Sequence, residues 1–170
     1  MTTTPPPAPP SADQPQAVAP LTMHGQYIKD LSFENPRAPQ SLIEQTQPQL
    51  TLNVQVTNRQ FDAKTFEVAL TIEASAQTPE KEPLFMLELV YAGTVSLGEL
   101  PQEAYGPLLF IETPRLLFPF ARAVVAHAPR EAGFPPLNIA PVDFVALYRQ
   151  QLEANGGRMP GVADGPVGHA

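Results

Sequence analysis

The chain reads as an α+β domain in which an antiparallel sheet comes first and helices follow. From Tyr27 to Leu97 apolar residues recur with period two, and after Gly98 and Pro101 the spacing lengthens toward 3.6. A third feature lies between Leu116 and Leu147, where an aromatic helix gives way to Phe134-Pro-Pro-Leu-Asn-Ile-Ala-Pro-Val-Asp-Phe144, apolar yet broken by prolines. Prolines at 129, 135, 136 and 141 forbid a long helix across that run. Phe134, Leu137, Ile139 and Val142 therefore take an extended path and need a partner surface.

Taken in order, the first strand spans Tyr27 to Glu34. Tyr27, Leu31 and Phe33 are assigned to one face, and Asp30, Ser32 and Glu34 to the other. Leu50 to Val56 alternates strictly, and Phe66 to Ile72 repeats the pattern after a connection, residues 57–65, containing Asn58 and Asp62, which predicts an antiparallel pair. The fourth strand, Leu84 to Leu97, is apolar on both faces: Phe85, Leu87, Leu89 and Tyr91 on one, Leu84, Met86 and Val90 on the other, with Glu88 the lone charge. Two readings fit that outer face, cover by another subunit or partner and cover by helices of the same chain.

A short helix near residues 101–110 and a longer one from Pro114 to about His127 fit the later spacing, with Leu117, Phe120, Ala121 and Val124 as the apolar stripe. Pro119 falls inside the longer helix and marks a lost hydrogen bond or a kink. A last helix runs from Val142 to Leu152 and presents Phe144, Leu147 and Tyr148.

Proline takes 22 of the 170 positions, and seven of them fall in residues 1–22, which hold few large apolar groups. That segment is expected to be a disordered tail, residues 23–153 a single domain, and the Gly- and Pro-rich residues 154–170 a second tail. There is no cysteine, hence no disulfide, thiolate nucleophile or Cys-based zinc site. Neither a secretory leader pattern nor a run of 18 apolar residues is present, and a soluble, cytoplasmic protein is expected.

The net charge of −7 is uneven. Residues 26–112 carry 12 acidic and 5 basic side chains, whereas the rest of the chain carries 5 of each. Such a field disfavours nucleic acid and anionic membranes and attracts a basic protein; keeping an apolar surface soluble is the other reading.

No chemistry-bearing motif emerges. His24, His127 and His169 form no ligand pattern, and there is no nucleophile elbow, P-loop or dinucleotide fingerprint. Asp30 and Glu34 share a strand face, but their backbones stand about 13 Å apart, too far for a shared proton. No catalytic residue, cofactor or metal is expected.

Three segments are similar to one known family: Tyr27-Ile-Lys-Asp-Leu-Ser-Phe-Glu-Asn-Pro-Arg-Ala-Pro39, Leu117-Phe-Pro-Phe-Ala-Arg122 and Gly133-Phe-Pro-Pro-Leu-Asn-Ile-Ala-Pro-Val-Asp-Phe-Val-Ala-Leu-Tyr148. Over residues 26–152, and in the right order, the chain resembles SecB, the bacterial protein-export chaperone. The resemblance implies a four-stranded antiparallel sheet with C-terminal helices on one face, assembled as a homotetramer, a dimer of dimers. It implies a chaperone that uses no nucleotide or metal, holds unfolded preproteins and delivers them to the SecA motor.

Carried over by position, the SecA-contacting residues are Asp30, Glu34, Met86 and Glu88, which would attract a basic, zinc-containing tail of SecA. The client groove implied by the resemblance takes Leu42 and Ile43 from the loop after the first strand, Tyr91 from the fourth strand and Phe118 from the helix. Family members often carry a tryptophan in that loop, whereas this chain has Thr46 there and no Trp, which implies a shallower groove. The leading hypothesis is an ATP-independent holdase without direct membrane insertion. Its rivals are an adaptor oligomer that recognises one folded partner and an enzyme using Asp30 or Glu34.

Overall fold

The computed structural model describes residues 19–44 and 46–159. Four strands, β1 (Leu21–Glu34), β2 (Gln49–Gln60), β3 (Thr65–Gln77) and β4 (Pro83–Leu97), form one antiparallel sheet in the order β1-β4-β3-β2. The loop after β1 carries the short helix α1 (Gln40–Ile43) and crosses from one sheet edge to the other. β1 begins at Leu21, two residues inside the segment read as a tail, because Leu21 and Met23 still face the apolar partners Leu97 and Val95. Most of both expected tails lies outside the described residues.

The hairpin joining β2 and β3 is tighter than the expected connection of residues 57–65. Its strands reach Gln60 and restart at Thr65, and Asp62 Oδ1 closes the turn by accepting from the backbone N–H groups of Lys64 (2.9 Å) and Thr65 (2.8 Å).

β1 is the irregular strand, and its irregularity corrects the face assignment. Pairing with β4 shifts register between Met23 and Gly25 and again between Ile28 and Asp30, so His24 and Lys29 are extra residues of two bulges. The second bulge reverses the alternation. Ile28 stands opposite Tyr91 and joins Leu31 and Phe33 on the helix side, while Tyr27 turns to the outer face. There the Tyr27 hydroxyl donates to Glu67 Oε1 at 2.5 Å, and Lys29 Nζ donates to Glu67 Oε2 at 2.7 Å.

Burial pushes the Glu67 carboxyl up, but the bonds from Lys29 and Tyr27 and the positive charges of Lys29 and Arg59 outweigh it and hold the group below its ordinary range. A lowered native pKa contributes stability that is present above the unfolded pKa and is lost as pH falls through the native one. The stability advantage of the wild type over Glu67→Gln is therefore expected to shrink between about pH 5 and pH 3. Thermal unfolding across that range measures it, and a constant difference would refute the assignment.

The sheet face opposite Tyr27 holds the core. Phe66, Val68, Leu70 and Ile72 of β3 and Leu87, Leu89 and Val95 of β4 are buried beneath helices. The helical run is continuous from Gln102 to Glu131 rather than divided in two: a 3₁₀ turn (Gln102–Ala104), α2 (Tyr105–Pro107), a π-helical turn (Leu108–Glu112) and α3 (Thr113–Glu131). Pro114 has no N–H with which to complete an ordinary turn, and the wider turn lets the buried Thr113 hydroxyl donate to the Leu108 carbonyl at 2.8 Å.

Pro114, Leu117, Phe118, Ala121 and Val125 face the sheet. Phe120 does not belong to that stripe. Steps of three and four residues along the buried side leave it half in solvent, 50% exposed. Pro119 is exposed too, so the carbonyl it frees at Arg115 lies on the solvent side of the helix.

α3 closes on Gly133 (φ 90°), whose N–H donates to the Arg130 carbonyl, while Phe134 N–H reaches back to Pro129 at 3.0 Å. The chain then runs extended to Asp143, with Ile139 buried and Leu137 and Val142 packed against the core, as the prolines predict. α4 (Phe144–Ala154) starts two residues later than the sequence suggests, because the Asp143 carboxylate caps the N–H groups of Val145 and Ala146 at 3.0 Å. Gln151 of α4 donates to the Val56 carbonyl at 3.1 Å and occupies one acceptor of edge strand β2.

Candidate functional site

The register fixes which outer-face side chains are neighbours. Three rows cross the sheet: Asp30, Val90, Thr71 and Gln55; Ser32, Glu88, Glu73 and Asn53; Glu34, Met86, Ser75 and Thr51. Asp30, Glu34, Met86 and Glu88 therefore fall in one patch on β1 and β4, with Met86 directly opposite Glu34. Rows are separated by about 7 Å and strands by about 5 Å, so one extended segment of a partner can span the patch.

A concavity of about 350 Å³ opens here, lined by Ser32, Glu34, Asn53, Glu73, Met86 and Glu88 among others, none of them basic. Met86 is 45% exposed and sets an apolar contact among carboxylates.

Glu73 belongs to this surface although the sequence reading passed over it. It sits directly opposite Glu88, and Asn53 Nδ2 donates to its Oε2 at 2.9 Å. Two carboxylates facing each other across a ladder repel, and such an arrangement is relieved by a cation from outside. The signal is in the sequence: Glu73 continues the period-two alternation beyond Ile72, and the strand runs five residues further, to Gln77.

On the helix side a groove of about 300 Å³ lies between the loop after β1 and the extended segment after α3. Ser41, Leu42, Glu44, Thr46 and Pro48 form one wall, Gly133 to Leu137 the other, and Leu50, Leu84 and Phe85 the floor. Phe134 anchors the second wall, its ring centroid 5.1 Å from that of Phe85 and 6.4 Å from that of Phe33.

Of the four expected groove residues, Leu42 lines it. Ile43 lies beside it on α1 and is 69% exposed to solvent, outside the lining. Tyr91 and Phe118 are not in its lining, each being only 8% exposed and packed into the core. Phe118 meets Phe144 edge-on at 5.8 Å, a position set by the steps of α3 that place it next to Leu117 on the sheet side. Leu50, Leu84, Phe85, Phe134 and Leu137 were missed as lining residues. Only the proline-broken run gave notice that Phe134 and Leu137 must lie against another surface.

A second apolar groove, about 780 Å³, runs between β1 and α3, where Ile28, Leu31 and Phe33 face Val124 and Ala128. His127 and Glu131 stand at its polar margin, with His127 Nε2 3.3 Å from Glu131 Oε1. Leu116 and Phe120, one turn apart on α3, are both half exposed. Among the described residues no group of three or more His, Asp or Glu is placed to hold a metal ion, and no helix is long and apolar enough to cross a membrane.

Comparison with known proteins finds likeness in both sequence and fold. The model of the family described as "Preprotein translocase subunit SecB" matches residues 13–155. The protein-export protein SecB of Bradyrhizobium sp. strain BTAi1 is 52% identical over 142 residues, which cover 82% of this chain and 87% of that protein. The protein of the same name from Rhodopseudomonas palustris strain HaA2 is 51% identical, again over 82% of this chain and 89% of its own length. Among solved structures, a Mycobacterium tuberculosis SecB-like chaperone in complex with an antitoxin peptide superposes with a TM-score of 0.62, covering 72% of this chain and 91% of that one. At 13% identity that likeness concerns the fold alone.

Proposed function

Because the chain belongs to the SecB family, we propose that it is an ATP-independent holding chaperone of the cytoplasm, one that keeps unfolded preproteins competent for translocation and passes them to SecA. The observation that carries this reading is the division of labour between the two sides of one sheet. The helix side offers grooves floored by Leu50, Leu84 and Phe85 and by Ile28, Leu31 and Phe33. The other side offers an acidic patch with one exposed methionine. A groove of the first kind takes apolar segments with little regard to sequence, because stabilisation scales with area at roughly 25 cal/mol per Å². A face of the second kind takes one basic partner.

Leu42, with Phe85, Phe134 and Leu137, is assigned to client binding, and Asp30, Glu34, Met86 and Glu88, joined by Glu73, to SecA. Charge in such a patch speeds and orients the encounter more than it strengthens the complex. The function is one of binding, and no catalytic step is assigned. Self-assembly as a dimer of dimers supplies cover for Leu116 and Phe120 and for the open edge of β1.

The test is suppression of aggregation of a slow-folding preprotein, diluted from denaturant without ATP. Suppression is expected at stoichiometric amounts of the assembled protein, together with a particle mass of four chains. Failure to suppress while that mass is intact would remove the holdase reading and favour an adaptor for one folded partner.

A further inference from the structure

Residues 35–44 form a compact knuckle whose backbone hydrogen bonds are all internal: Ala38 to Asn35, Ser41 to Arg37, Leu42 to Pro39 and Glu44 to Gln40. Ser41 Oγ donates to Asn35 Oδ1 at 2.6 Å and tightens the same unit. The knuckle is thus well formed in itself. Among the described residues, only one hydrogen bond or ion pair ties it to the rest of the chain, and Arg37 makes it. Its Nη1 and Nη2 fork onto the Glu44 carboxylate at 3.1 and 2.6 Å, and its Nε reaches Glu82 Oε2 at 3.0 Å.

Glu82 has a firmly held backbone and a side chain 56% exposed. It ends the β3–β4 turn, where its carbonyl accepts from Thr78 N–H at 2.9 Å and its own N–H donates to Thr78 Oγ1 at 3.2 Å, with Thr78 buried. The knuckle carries Ser41, Leu42 and Glu44, one wall of the apolar groove, whereas the opposite wall is locked by Phe134 between Phe33 and Phe85.

We infer that Arg37 is a positioning residue that sets the width of the client groove, by holding the Leu42 wall to Glu82 while the fork to Glu44 keeps the knuckle closed. The inference rests on the groove reading given above. One guanidinium serves both carboxylates because its donors are fixed in a plane, and a lysine ammonium could not make the fork and the third bond together. With the link to Glu82 cut, packing alone holds the wall, chiefly the buried Ser41 and Leu42 against Gly133, and it can ride outward when a guest displaces Leu42. Medium-sized side chains then lose their fit, and the bulkiest gain room. Width, and with it size preference, is the property at stake.

The experiment uses the full-length assembled protein and a series of uncharged, unstructured peptides of one length carrying Ala, Leu, Phe or Trp at alternate positions, with binding read by fluorescence anisotropy. Glu82→Gln cuts the tether and spares the fork. It is expected to weaken binding of the Leu peptide about two- to fivefold, the range for a solvent-exposed pair, while the Trp peptide binds as tightly as before or tighter and the melting temperature is unchanged. Arg37→Gln should show the same change in preference, and the double variant should be no worse than Arg37→Gln alone.

Glu82→Gln with the affinity and the size preference of the wild type overturns the inference, as does a uniform weakening of all four peptides. Should the wild type bind none of the peptides, the groove reading itself fails, which is a different result. If Arg37→Gln does not fold, Glu82→Gln alone still decides.

Discussion

Gly93→Val is expected to lower stability by roughly 3 kcal/mol, the upper end for forcing extra atoms into a packed core, and the melting temperature by about 10 °C. On an open strand valine would be the better residue, so the sign of the effect is itself diagnostic. Gly93 lies in the middle of β4 on the face covered by α3. A Cβ built there would come within 2.9 Å of Leu117 Cδ2, 3.0 Å of Met23 Sδ and 3.3 Å of the Gly25 carbonyl oxygen. Met23 can move, but Leu117 is fully buried and the Gly25 carbonyl is backbone.

The check is chemical or thermal unfolding of Gly93→Ala, Leu117→Ala and the double variant. The two singles should add to more than the double, because removing Cδ2 makes room for the new methyl group. Strict additivity would show that Leu117 is not what forbids a side chain at Gly93.

Glu88→Lys should weaken binding of SecA about tenfold, mostly through the association rate, and flatten its dependence on salt. Client holding should stay within about twofold, since Glu88 faces away from both apolar grooves. Stability moves in the opposite direction to binding. A lysine at 88 stands opposite Glu73 and replaces a repulsive cross-strand pair with an attractive one, worth about 0.2–1 kcal/mol. Titration of SecA by surface plasmon resonance, alongside unfolding and aggregation assays, separates the effects. Loss of SecA binding together with loss of stability would mean that Glu88 serves the fold and that the patch has been misassigned.

Much of this was legible in the residues before any coordinates, and the reasons differ from place to place. β2, β3 and β4 keep an unbroken mutual register from Gln49 to Gln60, Thr65 to Ala76 and Phe85 to Ser96, so their faces follow from counting by twos. Met86 and Glu88 were placed together on that basis. β1 defeated the same count at Lys29. A bulge inserts one residue without any marker in the local composition, and it moved Ile28 in and Tyr27 out.

Helix faces erred for a related reason. Leu117, Phe118 and Phe120 are all apolar enough to be core, and only the angle at which α3 meets the sheet decides among them. The groove was the least legible part. Leu42, Phe85 and Phe134 are separated by 43 and 49 residues in the chain, and no pattern within one element announces a groove built from three. What could be seen was a need rather than a place: the Phe134 to Val142 run had to lie against something.

The same run has a bearing on release. Pro135 and Pro136 contribute two successive positions of the groove wall that have no amide hydrogen. For a guest chain in the proposed groove these two positions offer ring surface and no donor, so a ladder of paired strands cannot run unbroken along that wall. Sliding past them breaks no bond to a wall amide, so on the proposed reading a pull from one end meets less resistance at that stretch than a zippered strand would give.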